Sequence, residues 1–394
     1  MKKSKFFISA IYTSPPTTMG GNTKIMLEMI DRLSDEYEFY IFTTEPKTFR
    51  KNLKNIKRVK IIEVAYSFKK FDYLSHYKEV KYIENLYFKY FKHNTISEND
   101  YFYSCIDFAP DVLPIYKLKE KYKFKWIASL YLFIPNPLEN LLNNYKFPFL
   151  KYIIYFLYQK YVFRLILKRA NLVAITNDYD RNRFPKNFQN KLFAFYGGVD
   201  IDEIRKASNK IKINNKIYDA VFCGRLHPQK GVSQLLEIWF TVVKQIPKAK
   251  LAVIGNGEKK YENFLKQKAK KLNIDKNIYW LGYVNGVNKY SIYLNSEIFV
   301  HPTIYDNNGM VAAEALCTGL PVIMYNLPQL RDIYKDGCIK IKFGNKGEYA
   351  QAIISELEKH EIVGPKDRDN LIRYWSWRNR IMNFNAFLKQ HGEN

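Results

Sequence analysis

Short apolar runs alternate with helix-length amphipathic stretches along most of this chain, and the alternation starts afresh halfway. Strands joined through helices lie parallel in their sheet, because a tight hairpin cannot join parallel neighbours. The pattern therefore commits the chain to an α/β fold of parallel sheets covered by helices, and the restart commits it to two of them. In the first half Lys5–Tyr12 reads as a strand and Thr23–Leu33 as a helix. Further strands are expected at Tyr37–Thr43, Val59–Val64, Lys125–Leu130 and Leu172–Thr176. The second half offers strands at Ala220–Cys223, Lys250–Ile254, Ile278–Leu281, Glu297–His301 and Pro321–Met324, with helices at Val232–Gln245 and Glu258–Leu272. With 394 residues, each unit has room for its own core. The junction is expected near Gly197–Ala207, where a Gly-Gly turn precedes a polar stretch.

Charge narrows the partners. Lys and Arg number 63 against 38 Asp and Glu, a net charge of +25. Residues 1–200 hold 33 of the basic and 19 of the acidic residues, so the excess is spread over both halves. Such a surface attracts phosphorylated ligands, anionic lipid or nucleic acid. The abundance of Lys, Asn, Ile, Tyr and Phe, as an AT-rich coding sequence gives, accounts for part of the excess. Four widely spaced cysteines form no C-x-x-C pair, which argues against a zinc knuckle or a disulfide framework. The basic, apolar start MKKSKFFISAIY ends in Ser14-Pro15-Pro16 and fits a buried first strand better than a secretory leader. No stretch reaches the length of a membrane span. These features favour a cytoplasmic chain.

One segment stands apart. Asn140–Asn177 has no acidic residue but six basic and nine aromatic ones. Lys160, Arg164 and Lys168 recur every four residues, along one face of a helix. That suits an anionic membrane surface engaged through residues 145–169, peripherally on the inner face. A basic helix packed on its own domain explains the pattern equally well. Nothing in the chain matches a nucleic-acid recognition motif, and no nucleic-acid partner is expected.

In doubly wound sheets ligands sit beyond the carboxyl ends of strands, where loops enter helix N-termini. After the strand Ala220–Cys223 comes Gly224-Arg225-Leu226-His227-Pro228-Gln229-Lys230-Gly231. Two cations five positions apart, before a glycine that opens a helix, form a diphosphate cradle. An Arg and a Lys in a loop are more often merely solvated, and the placement after a strand is what raises this pair. The second cluster follows the strand Glu297–His301. Asp306 lies in a loop, Asn308 and Gly309 precede the helix that Met310 enters, and Glu314 sits eight positions beyond Asp306 among Ala313, Ala315 and Leu316. A charge on so apolar a helix face needs a partner, and a ribose diol supplies one.

The order G-R-L-x-x-x-K-G, then Ile254-Gly255-Asn256-Gly257, then Leu281-Gly282-Tyr283-Val284, then D-x7-E closing on G-L-P-V-I, resembles family 4 of the retaining glycosyltransferases. The likeness covers the second half. In the first half it rests on Pro15-Pro16 with Gly20-Gly21, on Gly197-Gly198-Val199-Asp200, and on the helix after Trp375-Ser376-Trp377. The resemblance implies GT-B architecture: two facing Rossmann-like domains, with a C-terminal helix crossing back to the first. The expected divisions are an acceptor-binding domain over 1–198, a nucleotide-sugar domain over 199–365, and the returning helix over 366–394. It implies that Arg225 and Lys230 hold the donor diphosphate, that Asp306 meets the transferred sugar and that Glu314 takes the ribose. It further implies that main chain around Gly255, Tyr283, Val284, Asn308, Gly309 and Met310 lines the donor site. Gly20 and Gly21 would let backbone approach phosphates or acceptor.

On this likeness the chain is a metal-independent retaining hexosyltransferase with no cofactor. Its donor is a nucleotide diphosphate sugar and its acceptor a saccharide or lipid-linked sugar, as in surface-polysaccharide or glycolipid assembly. Two departures stand out. Asp306-Asn307-Asn308 replaces the family's Glu-Gly-Phe, and the family's histidine after Lys125–Leu130 is absent, leaving Tyr131 as the hydrogen-bonding candidate. That absence keeps open a catalytically weakened nucleotide-sugar-binding partner subunit. A nucleotide-sugar epimerase on the same scaffold is another alternative. The Asp178-Tyr179-Asp180 triplet is read as a helix cap rather than a metal site.

Overall fold

A computed structural model describes residues 3–13, 20–66, 73–134, 137, 149–210, 216–359 and 362–392. Pro15, Pro16 and residues 145–148 of the basic segment lie outside the described residues. The chain divides into two compact units, one of residues 1–196 with 380–394 and one of residues 197–379.

The first unit is a parallel sheet of β1 (Lys5–Ala10), β2 (Glu38–Thr43), β3 (Val59–Glu63), β4 (Tyr101–Ser104), β5 (Lys125–Leu130), β6 (Leu172–Ile175) and β7 (Leu192–Ala194). Its order is β3-β2-β1-β4-β5-β6-β7, so the direction of winding reverses between β1 and β4. Strands β1, β2 and β5 are buried along nearly their whole length, as a sheet covered on both faces requires. Aromatics fill one of those faces. Phe7 meets Phe91 edge-on at 5.0 Å, Phe42 meets Tyr87 at 4.8 Å, and Trp126 and Phe102 join the same core.

The last helix, Trp377–Gly392, enters this unit from Arg380 onward rather than from residue 366. Phe384 packs on Phe193 and Phe195 at 5.2 and 5.0 Å, and Tyr37 Oη donates to Asn385 Oδ1 at 2.9 Å. The Asn385 amide in turn donates to both Glu36 oxygens. In the second unit Trp375 stacks on Tyr334 at 5.5 Å, and a Cβ on Gly198 would fall 2.6 Å from the Trp377 ring. The Gly-Gly turn and the Trp-Ser-Trp run are thus two halves of one close packing.

The second unit repeats the plan with β8 (Tyr218–Cys223), β9 (Leu251–Ile254), β10 (Ile278–Gly282), β11 (Ser296–His301), β12 (Val322–Tyr325) and β13 (Cys338–Ile341). Its order, β10-β9-β8-β11-β12-β13, reverses between β8 and β11. Among the described residues no helix is long and apolar enough to cross a membrane.

At the switch point of the first unit a buried acid is conspicuous. Asp111 lies in the first turn of the helix Ala109–Lys121 and is fully buried. Its Oδ1 accepts from Ser9 Oγ at 2.7 Å and from the Ile11 amide at 3.1 Å. Burial pushes its carboxyl up to about 7 against those bonds. An unfolded aspartate titrates near 4, so between there and 7 the folded chain binds the extra proton. This contribution to stability is therefore full below about pH 4 and is lost as pH rises through 7. Asp111→Asn should gain on wild type by roughly 2–4 kcal/mol between pH 4 and 7.5. Urea melts across that range would measure the gap, and a constant gap would refute the titration.

Candidate functional site in the second unit

Arg225 and Asp306 follow β8 and β11, neighbours in the sheet at the point where its winding reverses. Chain leaving such strands runs in opposite directions, which opens a crevice at their carboxyl ends. Glycines allow the loops to crowd there. Gly255, after β9, has φ +136°, and a Cβ on it would lie 1.9 Å from the Gly224 carbonyl. Its amide donates to Gly282 O at 2.7 Å, and the Gly224 amide donates to Ile254 O.

The cationic loop makes a single 3₁₀ turn, Pro228–Lys230, capped by His227 Nδ1, before the helix Val232–Gln245 starts at Gly231 with φ +71°. A Cβ at Gly231 would strike the Pro302 carbonyl at 2.0 Å. The loop after β11 is tied to it at two points. Gln229 Nε2 donates to Tyr305 O at 2.7 Å, and the Ile304 amide donates to Gln229 O at 2.9 Å. Gln229 was given no role by the sequence, yet it fixes one loop against the other.

Lys230 Nζ donates to Asp306 Oδ2 at 2.6 Å, while Arg225 is exposed. Asp306 Oδ1 accepts from the amides of Asn308 and Gly309 at 3.3 and 3.1 Å. Its carboxyl is held well below the usual range, because Lys230 and His301 outweigh the burial that opposes ionisation. His301 Nε2 lies 3.5 Å from Oδ2, and burial pushes the imidazole pKa down. Both Asp306 oxygens are thus engaged, Oδ2 by the cationic loop and Oδ1 by its own turn. The residue expected to meet the sugar here braces the cation and the turn.

Gly309, with φ +60°, starts the helix Met310–Thr318, whose first-turn N–H groups face the crevice end of the sheet. Tyr334 Oη is shared between the Asn308 and Gly309 carbonyls at 2.7 and 2.9 Å. Asn308 is buried and its Oδ1 has no hydrogen-bond partner among the described residues. Two turns along, Glu314 is buried with Oε1 accepting from Lys289 Nζ at 2.7 Å. Lys289, on the helix Gly286–Leu294, was missed in the sequence, where no spacing links it to Glu314. Met310 and Val284 are half-buried and Tyr283 is exposed just beyond Gly282.

Gly20, Gly21 and Tyr131 belong to the first unit. Gly20 precedes the helix Gly21–Leu33 at φ −83°, a conformation open to any residue. Tyr131 follows β5, and its hydroxyl is bonded to that of Tyr103. Burial pushes the Tyr131 phenol up to about 12, so it is a neutral hydrogen-bonding group. Asn177 caps the turn Asp178–Arg183, with Asp178 paired to Arg181 and Asp180 to Arg183. That is the expected capping arrangement. Among the described residues no cluster of side chains could hold a metal ion.

Residues 203–375 match the family of glycosyl transferases group 1. An uncharacterized glycosyltransferase of Methanocaldococcus jannaschii is 24% identical over 60% of this chain and 62% of its own length, so the chain spans less than two thirds of that relative. Sucrose-phosphate synthase from Thermosynechococcus elongatus superposes with a TM-score of 0.78 at 14% identity, covering 98% of this chain and 99% of that one. Anabaena HepE, solved in complex with UDP-glucose, gives 0.71 at 14% identity over 98% and 99%. The chain has the GT-B fold. Within its second unit, residues 203–375 are similar to the glycosyl transferases group 1.

The glycine at 255 supplies a direct test of how the crevice is built. Gly255→Ala forces a side chain into a carbonyl at a φ that L-residues avoid, and should cost about 3 kcal/mol or more. Chemical denaturation would register it, and a change under 1 kcal/mol would mean that the loops are not packed as described.

Proposed function

We propose that this chain is a retaining glycosyltransferase that takes its sugar from a nucleoside diphosphate donor held by the second unit, without a divalent metal. The observation that carries the reading is the pairing at one switch point of two cations and two carboxylates, each cation on a loop or helix next to a helix N-terminus or a buried acid. Arg225 would fork onto diphosphate oxygens. Lys230 would exchange Asp306 for the diphosphate, and Asp306, so released, would have an oxygen for a sugar hydroxyl. Glu314 would take the ribose. HepE, a structural neighbour, binds UDP-glucose, and this supports a uridine donor.

The chemistry follows from where charge develops. As the bond between the anomeric carbon and the diphosphate breaks, negative charge gathers on the leaving group while the sugar becomes oxocarbenium-like. Arg225 and Lys230 would be the donors for that charge, both on the loop after β8. A phosphate oxygen accepts the proton of the acceptor hydroxyl, whose oxygen bonds the anomeric carbon on the face the diphosphate leaves, retaining configuration. Preorganised donors of this kind are worth about 3–4 kcal/mol each. Arg225→Ala and Lys230→Ala should each lower kcat/KM for a UDP-sugar by roughly 100- to 1000-fold. UDP should raise the melting temperature of wild type equally with and without EDTA. Loss of that rise in EDTA would remove the metal-free part of the proposal.

The acceptor side rests on the helix Phe149–Arg169. Leu157 and Tyr161 are 58% and 52% exposed one turn apart, and Lys160, Arg164 and Lys168 are exposed beside them. Apolar tips among cations suit an interfacial helix on anionic lipid, where a lipid-linked acceptor would be met. Replacing Lys160, Arg164 and Lys168 by Glu should abolish pelleting with anionic vesicles while leaving the fold intact. Equal pelleting with neutral vesicles would count against the membrane assignment.

A further inference from the structure

The ion pair between Lys289 and Glu314 leaves an asymmetry that a purely structural pair does not explain. Lys289 Nζ lies 2.7 Å from Glu314 Oε1 and 4.7 Å from the centre of the Tyr290 ring, with its side chain 15% exposed. Burial works against the ammonium, yet the Glu314 carboxylate, with Cys223 beside it, holds its pKa above the ordinary value. The charge therefore stays in place. Glu314 Oε2 is buried and has no hydrogen-bond partner among the described residues. A buried carboxylate oxygen left bare is costly, and a structural pair would gain stability from satisfying it. One oxygen is thus held in place by the ammonium, and the other carries no such tie.

We propose that Lys289 is a positioning residue that fixes Glu314 so that it reads a single ribose hydroxyl of the donor, through Oε2 alone. The inference rests on the donor-site reading above and deepens it. With Oε1 held by an ammonium on a neighbouring helix, the carboxylate is not free to turn both oxygens to a diol. The Tyr290 ring beneath Nζ adds a cation–π contact that keeps the lysine from swinging out. A site built to accept one hydroxyl rejects the analogue that lacks it, and tolerates loss of the neighbouring one.

The test compares UDP, 2′-deoxy-UDP and 3′-deoxy-UDP by isothermal titration calorimetry on the full chain. Wild type should bind one deoxy analogue within about twofold of UDP and the other about tenfold or more weakly. Lys289→Met should lose this discrimination between the two analogues, and Lys289→Arg, which keeps the charge, should restore it. Equal weakening by both deletions in wild type would mean bidentate binding and overturn the proposal alone. So would Lys289→Met retaining the wild-type ratio. The wild-type comparison needs no variant and stands if Lys289→Met fails to fold. Absence of binding by UDP, GDP and ADP alike would overturn the donor reading and this inference with it.

Discussion

The site depends on one topological fact: β8 and β11 are sheet neighbours from which the chain departs in opposite directions. Two loops distant in sequence are thereby forced side by side at the carboxyl ends of the strands. Their main-chain groups must be satisfied in a crowded space. Gly255 and Gly231 make the crowding possible, since a Cβ at either would enter a carbonyl oxygen. Gln229 then locks the loops by donating with its side chain and accepting with its main chain. The positions of Arg225, Lys230 and Asp306 are consequences of this arrangement.

Electrostatics builds on that frame. The chain carries a large positive excess, yet two of the cations near the crevice are paired with carboxylates. A buried ion pair is seldom a net source of stability against an apolar alternative, because desolvation offsets the attraction. Two such pairs within one crevice are therefore poor candidates for scaffolding. On the proposed donor reading, their charge would serve a polyanionic ligand.

Much of the fold was legible because buried parallel strands announce themselves as apolar runs. Lys125–Leu130 and Val232–Gln245 were placed with their observed limits, and the other strands and helices given bounds in the sequence within one or two residues; helices such as Tyr73–His93 and Ala109–Lys121 were not placed. The strands that escaped were β4, β7 and β13. Tyr101–Ser104 is a four-residue strand whose aromatics blend into an aromatic-rich stretch, and Cys338–Ile341 is an edge strand only partly buried. Leu192–Ala194 is three residues long, too short for any period. In the site, loop residues after strands were found by that placement. Lys289 was not, since its role depends on the helix Gly286–Leu294 packing beside Met310–Thr318, which no local pattern encodes.

The two pairs differ in a way that bears on how the site works. Lys230 and Asp306 engage each other while Asp306 also holds two loop amides, so a diphosphate that took Lys230, as proposed, would leave Asp306 anchored by Oδ1 with Oδ2 released. The turn keeps its shape while its charge is redistributed. Asp306 is one methylene shorter than a glutamate, and the short side chain lets it cap its own turn. Glu314, on a regular helix, has no such turn to cap, and its second oxygen has no hydrogen-bond partner among the described residues. On the proposed donor reading, one carboxylate would be freed by binding and the other would be available without such an exchange. That would separate a group responding to the diphosphate from a group selecting what accompanies it.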